Sequence, residues 1–176
     1  ALIEALAVLR GHDRRDLRLL ILGAGRPAMR RRLEALARRL GLAHAVRLEG
    51  EVANPFPLMA AASAYVLPSR WEGSSNSLLE ALACGAPVVA AVTAGSAPEV
   101  LGHGRYGRLA QPEPRALACA IAAQLDPATR ITPGDRVAAY DLSAALERMR
   151  RLVLTTPPAH DEIQIQTEHA RHPAPV

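Results

Sequence analysis

Trp71-Glu72-Gly73-Ser74-Ser75-Asn76-Ser77-Leu78-Leu79-Glu80-Ala81-Leu82-Ala83-Cys84-Gly85-Ala86-Pro87-Val88-Val89-Ala90 is the run on which the rest of the chain turns. Ahead of it stands a strand-like run, Ala64-Tyr65-Val66-Leu67, closed by Pro68, and it leads into a second apolar run from Pro87 to Val92. Between them the spacing predicts a helix over 76–84. Leu, Ala and Glu favour helix, Asn76 or Ser75 suits its N-cap, and Gly85 suits the residue just past its end. On such a helix Leu78, Leu79 and Leu82 share one face, and Glu80 lies opposite, in line with Asn76, Ser77 and Cys84. Strand, loop, helix, strand is one βαβ unit.

Glu72 falls in the loop at the carboxyl end of the first strand, and that edge of an open α/β sheet is where ligands bind. The helix start offers backbone N–H groups and a partial positive charge to an anion. Glu72 and Glu80, on either side of that start, suit a sugar nucleotide. Each can accept hydroxyl hydrogen bonds flanking a diphosphate, worth about 1.5–3 kcal/mol apiece when charge-assisted. By themselves, two glutamates at this spacing are a loop carboxylate and a solvated helix residue. Their surroundings are more specific. Glu72 to Ala90 resembles, almost position by position, the Glu-x7-Glu signature E-G-x-x-N-x-L-L-E-A-M-A-x-G-x-P-V-V-A. That signature belongs to the retaining glycosyltransferases of the GT-B fold (glycosyltransferase family 4, the group 1 glycosyl transferases).

The resemblance covers about residues 1–153 and implies the C-terminal, donor-binding half of that fold, with closing helices from about residue 135. Carried over by position, Glu72 would be the catalytic-site carboxylate that meets the transferred sugar. Gly73, Ser74, Ser75, Asn76 and Ser77 would hold the donor, largely through backbone N–H groups, and Glu80 would take the ribose hydroxyls. Val52, in the loop after the second strand, would meet the base. Gly95-Ser96-Ala97-Pro98-Glu99 resembles the family's G-G-x-x-E element near the donor sugar and would bring in Glu99; it also reads as a capping box of Ser96 and Glu99. The implied reaction is retaining glycosyl transfer in bacterial polysaccharide biosynthesis. The donor would be a UDP- or GDP-linked sugar and the acceptor a glycan or lipid-linked sugar. No cofactor or metal is required by this arrangement, and no Asp-x-Asp pair is present. The implied location is the cytoplasm or the inner face of the plasma membrane, with peripheral association there. Two departures count against activity by this chain alone. The family's Arg and Lys on the diphosphate lie upstream of Ala1, and the chain has no Lys; the acceptor-binding N-terminal domain is also missing.

The chain has 176 residues, enough for one domain with a real core. Apolar residues are 49% and aromatic ones 3%, the Ala, Leu and Val balance of sheets covered by helices. No apolar run is long enough to span a bilayer. Cys84 and Cys119 are too few and too far apart for a metal motif and read as reduced, buried thiols. Net charge is +4. Arg30, Arg31, Arg32, Arg38 and Arg39 read as a solvated helix face, with an anionic membrane surface or a partner domain as the other reading. No basic patch with interleaved aromatics suggests nucleic acid. The opening Ala1-Leu2-Ile3-Glu4-Ala5-Leu6 reads as mid-helix, as in a fragment of a longer protein.

Outward from the central unit, strands are expected at 17–22, 45–48 and 106–109, with helices over 1–10, 27–40, 55–62, 96–101 and 113–125. Alternation of this kind implies an α/β fold, a Rossmann-like parallel sheet with helices on both faces. Residues 136–153 read as one or two helices broken near Tyr140-Asp141, and 154–176 as a disordered tail. Gly23-Ala24-Gly25-Arg26-Pro27-Ala28 matches the dinucleotide fingerprint G-x-G-x-x-A, with Glu49 placed as its ribose carboxylate. Arg26 and Pro27 crowd the approach of a pyrophosphate, and a plain strand-to-helix turn fits better. An NAD-binding domain, an inactive nucleotide-binding module and a sugar-nucleotide epimerase-type domain are the competing readings. His12, His44 and His103 read as surface residues, and Trp71 as lining the sugar pocket or packing beneath the loop.

Overall fold

The structure, a computed structural model, describes residues 1–12 and 14–155. They divide into two compact units, one ending at Asp141 and one beginning at Leu142. The first unit runs α1 (Leu2–Gly11), β1 (Leu19–Leu22), α2 (Pro27–Arg39), β2 (Val46–Gly50), α3 (Phe56–Ala61), β3 (Tyr65–Leu67), α4 (Asn76–Ala83), β4 (Val88–Ala91), α5 (Ala97–Val100), β5 (Arg108–Ala110) and α6 (Pro114–Leu125). Short 3-10 turns cover Gly102–Gly104 and Arg136–Tyr140. The second unit holds α7 (Leu142–Thr155), in which Glu147 pairs with Arg151 at 3.1 Å, one turn on. The helical segments break at Tyr140-Asp141, as expected. The rest of the expected disordered tail, residues 156–176, lies outside the described residues.

All strand pairs are parallel, so the α/β class stands, but the strands form two sheets. β1 pairs with β2, and β3, β4 and β5 pair in that order. β4 is the most buried element: Val88, Val89, Ala90 and Ala91 are all solvent-free. Covered on both faces, it reads as an unbroken apolar run, without alternation. Val88 and Ala90 face Leu78, Ala81 and Leu82 of α4. Val89 faces the other side, with Leu117 and Ile121 of α6 and Ala5 and Leu9 of α1. The remaining face of α1, Ile3 and Leu6, packs with Ala37 of α2 and beside Leu19 and Ile21 of β1.

Several boundaries moved for local reasons. β2 continues through Glu49 to Gly50, where a register shift after Ile21 pairs Leu22 with Gly50. β5 begins at Arg108, just past Gly107, where a Cβ would crowd the Leu101 side chain and Val88. Cys84 is half-buried and Cys119 exposed, so the expectation of two buried thiols fails for Cys119. Trp71 is 91% exposed, so it does not pack beneath its loop. Arg30, Arg31, Arg32, Arg38 and Arg39 are exposed along α2, and Arg30 bonds Glu34 at 3.0 Å. His12, His44 and His103 are exposed.

Candidate functional site

β3 ends at Leu67 and β4 at Ala91, so the loops after them leave the same edge of the sheet. The first loop carries Glu72 and runs into α4; the second carries Thr93 to Ser96 and runs into α5. Three contacts tie them together. The Thr93 hydroxyl donates to the Ser69 carbonyl at 3.1 Å. The Ser96 N–H donates to the Gly73 carbonyl at 3.1 Å. Gly95, at φ +51°, lies so close that a Cβ there would collide with the carbonyl oxygens of Glu72 and Gly73. A side chain at Gly95 is therefore excluded twice, by the backbone it touches and by its own conformation.

The glutamate loop keeps unsatisfied polar atoms. Glu72 is half-buried, and among the described residues its Oε2 is shielded from solvent with no hydrogen-bond partner. The same holds for the Ser96 hydroxyl on the adjoining loop. Buried polar atoms are nearly always paired. Two orphans on two clamped loops mark a place where an outside group can complete the bonding.

Ser75 takes the N-cap position of α4 but caps nothing with its side chain. Its Oγ lies 3.0 Å from that of Ser77, and the Tyr65 hydroxyl donates to Ser77 at 2.8 Å. The expected Ser75 or Asn76 cap is thus replaced by a hydroxyl chain from β3, and no side chain takes up the first-turn amides. Tyr65 also reports where the carboxylates lie. Its phenol is held above the ordinary value, first by burial and then by the negative charges of Glu72 and Glu80, with the Ser77 hydrogen bond acting the other way. Both glutamates therefore act on one hydroxyl at the base of the helix start. Glu80 is half-buried on α4.

The capping box at Ser96 and Glu99 does not form. Ser96 makes no side-chain cap bond to α5, and its N–H, which the Glu99 side chain would accept from in such a box, is committed to Gly73. Glu99 is exposed, and its carbonyl, with that of Val100, accepts from Arg136 at 2.7 and 2.8 Å. Val52 follows β2. It lines a pocket over β1 and β2 with Leu20, Arg47, Glu49 and Leu58. There Glu49 is engaged by Arg47, through Nε and through a second nitrogen at 2.9 Å. A carboxylate so occupied is a poor ribose acceptor, although Gly23 and Gly25 do sit between β1 and α2 as a dinucleotide turn would. The sequence reading missed Tyr65, Thr93 and the packing role of Gly95. A tyrosine in an otherwise aliphatic strand, twelve residues before Ser77, was the one available signal. Among the described residues no group of three or more His, Cys, Asp or Glu could hold a metal ion, and no helix is long and apolar enough to cross a membrane.

Residues 1–126, from α1 through α6, match the family described as glycosyl transferases group 1. The chain belongs to that family. Among the chain's curated relatives is the N-acetylgalactosamine-N,N'-diacetylbacillosaminyl-diphospho-undecaprenol 4-alpha-N-acetylgalactosaminyltransferase of Campylobacter jejuni. It is 38% identical over 96 residues, which are 54% of this chain and 26% of the relative. Similar solved structures include sucrose-phosphate synthase from Thermosynechococcus elongatus, 30% identical with a TM-score of 0.71, covering 86% of this chain and 41% of that one. Anabaena Alr3699/HepE in complex with UDP is 27% identical with a TM-score of 0.75, covering 88% and 44%. The C-terminal domain of a glycosyl transferase group 1 protein (LpcC) from Francisella tularensis is 25% identical with a TM-score of 0.65, covering 81% and 75%. This chain thus spans about a quarter of the curated relative and under half of the two longer structures. The glutamate loop, α4 and the Gly95 contact all fall inside the matched residues.

Proposed function

We propose that the chain is the donor-binding half of a retaining glycosyltransferase, taking a UDP- or GDP-linked sugar for transfer to a glycan or lipid-linked acceptor. The observation that carries this reading is the pair of orphaned polar atoms, Glu72 Oε2 and Ser96 Oγ, on two loops clamped at Gly95 beside an uncapped helix start. Sugar hydroxyls would satisfy the first. The α4 amides of Ser75 to Ser77 would meet the diphosphate, with Gly73 and Ser74 letting its oxygens come close. Glu80, one turn into α4, would accept from the ribose. The UDP complex of the similar Anabaena structure supports a nucleotide donor. Val52 and Glu99 would act at the margins, near the base and the sugar.

In this reading Glu72 orients the transferred sugar while its bond to the diphosphate breaks through an oxocarbenium-like state. Charge then develops on the departing nucleoside diphosphate. Fixed dipoles at the helix start stabilise that charge without reorganising, the largest contribution such a site makes. The chain needs no metal for this. With no Lys, it binds donor weakly and transfers no sugar by itself; the acceptor meets a further domain, at the inner face of the membrane when lipid-linked.

Titration calorimetry of the chain with UDP, GDP, ADP and NAD tests the proposal, repeated on Glu80→Gln. Binding of one nucleoside diphosphate, weakened about tenfold by the loss of one charge-assisted bond, is the expected result. NAD binding indifferent to Glu80 would move the site to the Gly23–Ala28 turn and overturn it.

A further inference from the structure

The start of α4 has a capping residue that does not cap. Ser75 stands at the N-cap position, in extended backbone, and its side chain bonds no helix amide. A serine there ordinarily accepts from the second or third amide of the helix, here Ser77 or Leu78. Ser75 is only 4% exposed, so its hydroxyl must bond within the protein. It is engaged sideways, 3.0 Å from the Ser77 hydroxyl, which in turn accepts from the Tyr65 phenol at 2.8 Å. Burial first, and then the negative charges of Glu72 and Glu80, hold that phenol above its ordinary value, so at neutral pH it keeps its proton and stays a donor. The helix start is also loosely closed. Leu79 donates to the Ser75 carbonyl at 3.4 Å, against 3.0 Å for the corresponding first bonds of α2, α3 and α6.

We infer that Tyr65 is a positioning residue for the donor's diphosphate: through Ser77 it holds the Ser75 hydroxyl away from the first-turn amides of α4 and so keeps them open to an anion. A serine hydroxyl and a phosphate oxygen compete for the same N–H groups. An amide that is already capped must lose its cap before a phosphate can take it. The sheet supplies the restraint. Tyr65 opens β3, where it pairs with Val88 of β4, and its N–H donates to the Pro87 carbonyl at 2.8 Å. The phenol is therefore anchored on the sheet rather than on the glutamate loop, and the helix start is held open before the donor arrives. Dipoles fixed in this way need no reorganisation when the anion binds. The inference rests on the donor reading for the identity of that anion; the hydroxyl chain itself is a feature of the free protein.

Two measurements test it, the first without ligand. Amide exchange at Ser77 and Leu78, followed by NMR, reports the cap directly. In Tyr65→Phe the freed Ser75 hydroxyl turns onto one of these amides and slows its exchange roughly fivefold, the usual worth of an N-cap. Ser75→Ala in the Tyr65→Phe background, which keeps the backbone N–H, removes that protection. Titration with UDP and GDP is the second readout. Whichever diphosphate the parent binds is bound roughly fivefold more weakly by Tyr65→Phe, because the new cap must first be broken. Ser75→Ala in that background restores the affinity, a rescue that general damage at Tyr65 would not allow. If Tyr65→Phe fails to fold, Ser77→Ala breaks the chain at its middle link and shows the same loss and the same rescue. Ser77 and Leu78 amides left unchanged by Tyr65→Phe would overturn the proposal, and so would a loss of binding that Ser75→Ala does not rescue. Diphosphate binding that Tyr65→Phe leaves intact would overturn the positioning role while the donor reading stands. A parent that binds neither diphosphate would overturn the donor reading and the role with it.

Discussion

Gly95 sets the geometry of the site although it carries no chemistry. Its close approach to the carbonyls of Glu72 and Gly73, at φ +51°, fixes where the glutamate loop sits. Gly95→Ala is expected to lower stability by about 1–3 kcal/mol, read as a lower unfolding midpoint, and to abolish nucleotide binding in calorimetry. Tyr65 is the second such residue. Tyr65→Phe removes one hydrogen bond to Ser77 and should cost about 0.5–1.5 kcal/mol in denaturant unfolding. Its pH signature has a definite sign. The phenol is raised in the folded chain, by burial first and then by Glu72 and Glu80. Its contribution is therefore complete below the unfolded phenol's value of about 10 and is lost as pH rises through the higher folded one. Unfolding scans above pH 10 should show a steeper loss in the parent than in Tyr65→Phe; equal slopes would mean the buried phenol is not the cause. Glu72 and Glu80 were legible as residues because their spacing is a sequence property. Gly95 was not, since nothing in sequence says which carbonyls a distant loop will bring against it.

At the scale of elements, α4 follows from its own residues: good helix formers, an apolar face and a glycine stop. Leu78, fully buried against β4, anchors it. Leu78→Ala should destabilise by about 2–5 kcal/mol, measured by chemical unfolding, because the deleted atoms leave a cavity between helix and sheet. The start of α4 was read incorrectly. Ser75 has the right identity for a cap, yet its hydroxyl bonds that of Ser77, which Tyr65 engages from β3. The Ser96–Glu99 box also failed: the Ser96 N–H serves the neighbouring loop, and its hydroxyl makes no cap bond. At Ser96 a tertiary hydrogen bond took the N–H that the local box would have used. Arg136 shows the same kind of long-range bond holding α5. It donates to the Glu99 and Val100 carbonyls and stacks on the Tyr106 and Tyr140 rings. Arg136→Ala should lower stability by about 1–3 kcal/mol by leaving those carbonyls short of donors. A change within 0.3 kcal/mol would show that water replaces the guanidinium without cost.

For the molecule as a whole, binding and turnover should separate. The chain is expected to bind a nucleoside diphosphate in calorimetry and to release no sugar from UDP- or GDP-linked donors; sugar transfer by the isolated chain would refute the half-site reading. The sequence by itself determined the α/β class, the order of the elements, the inward face of α4, and membership of a glycosyl transferase family through the Glu72–Ala90 run. Those are local properties, fixed by periodicity, propensity and spacing within about twenty residues. Only the tertiary structure decided the division into two sheets, the meeting of the Glu72 and Gly95 loops, the hydroxyl chain from Tyr65, and the occupation of Glu49 by Arg47. Each of these depends on where separate segments come to rest, and that is set by packing across the whole core, which a single stretch of sequence does not carry.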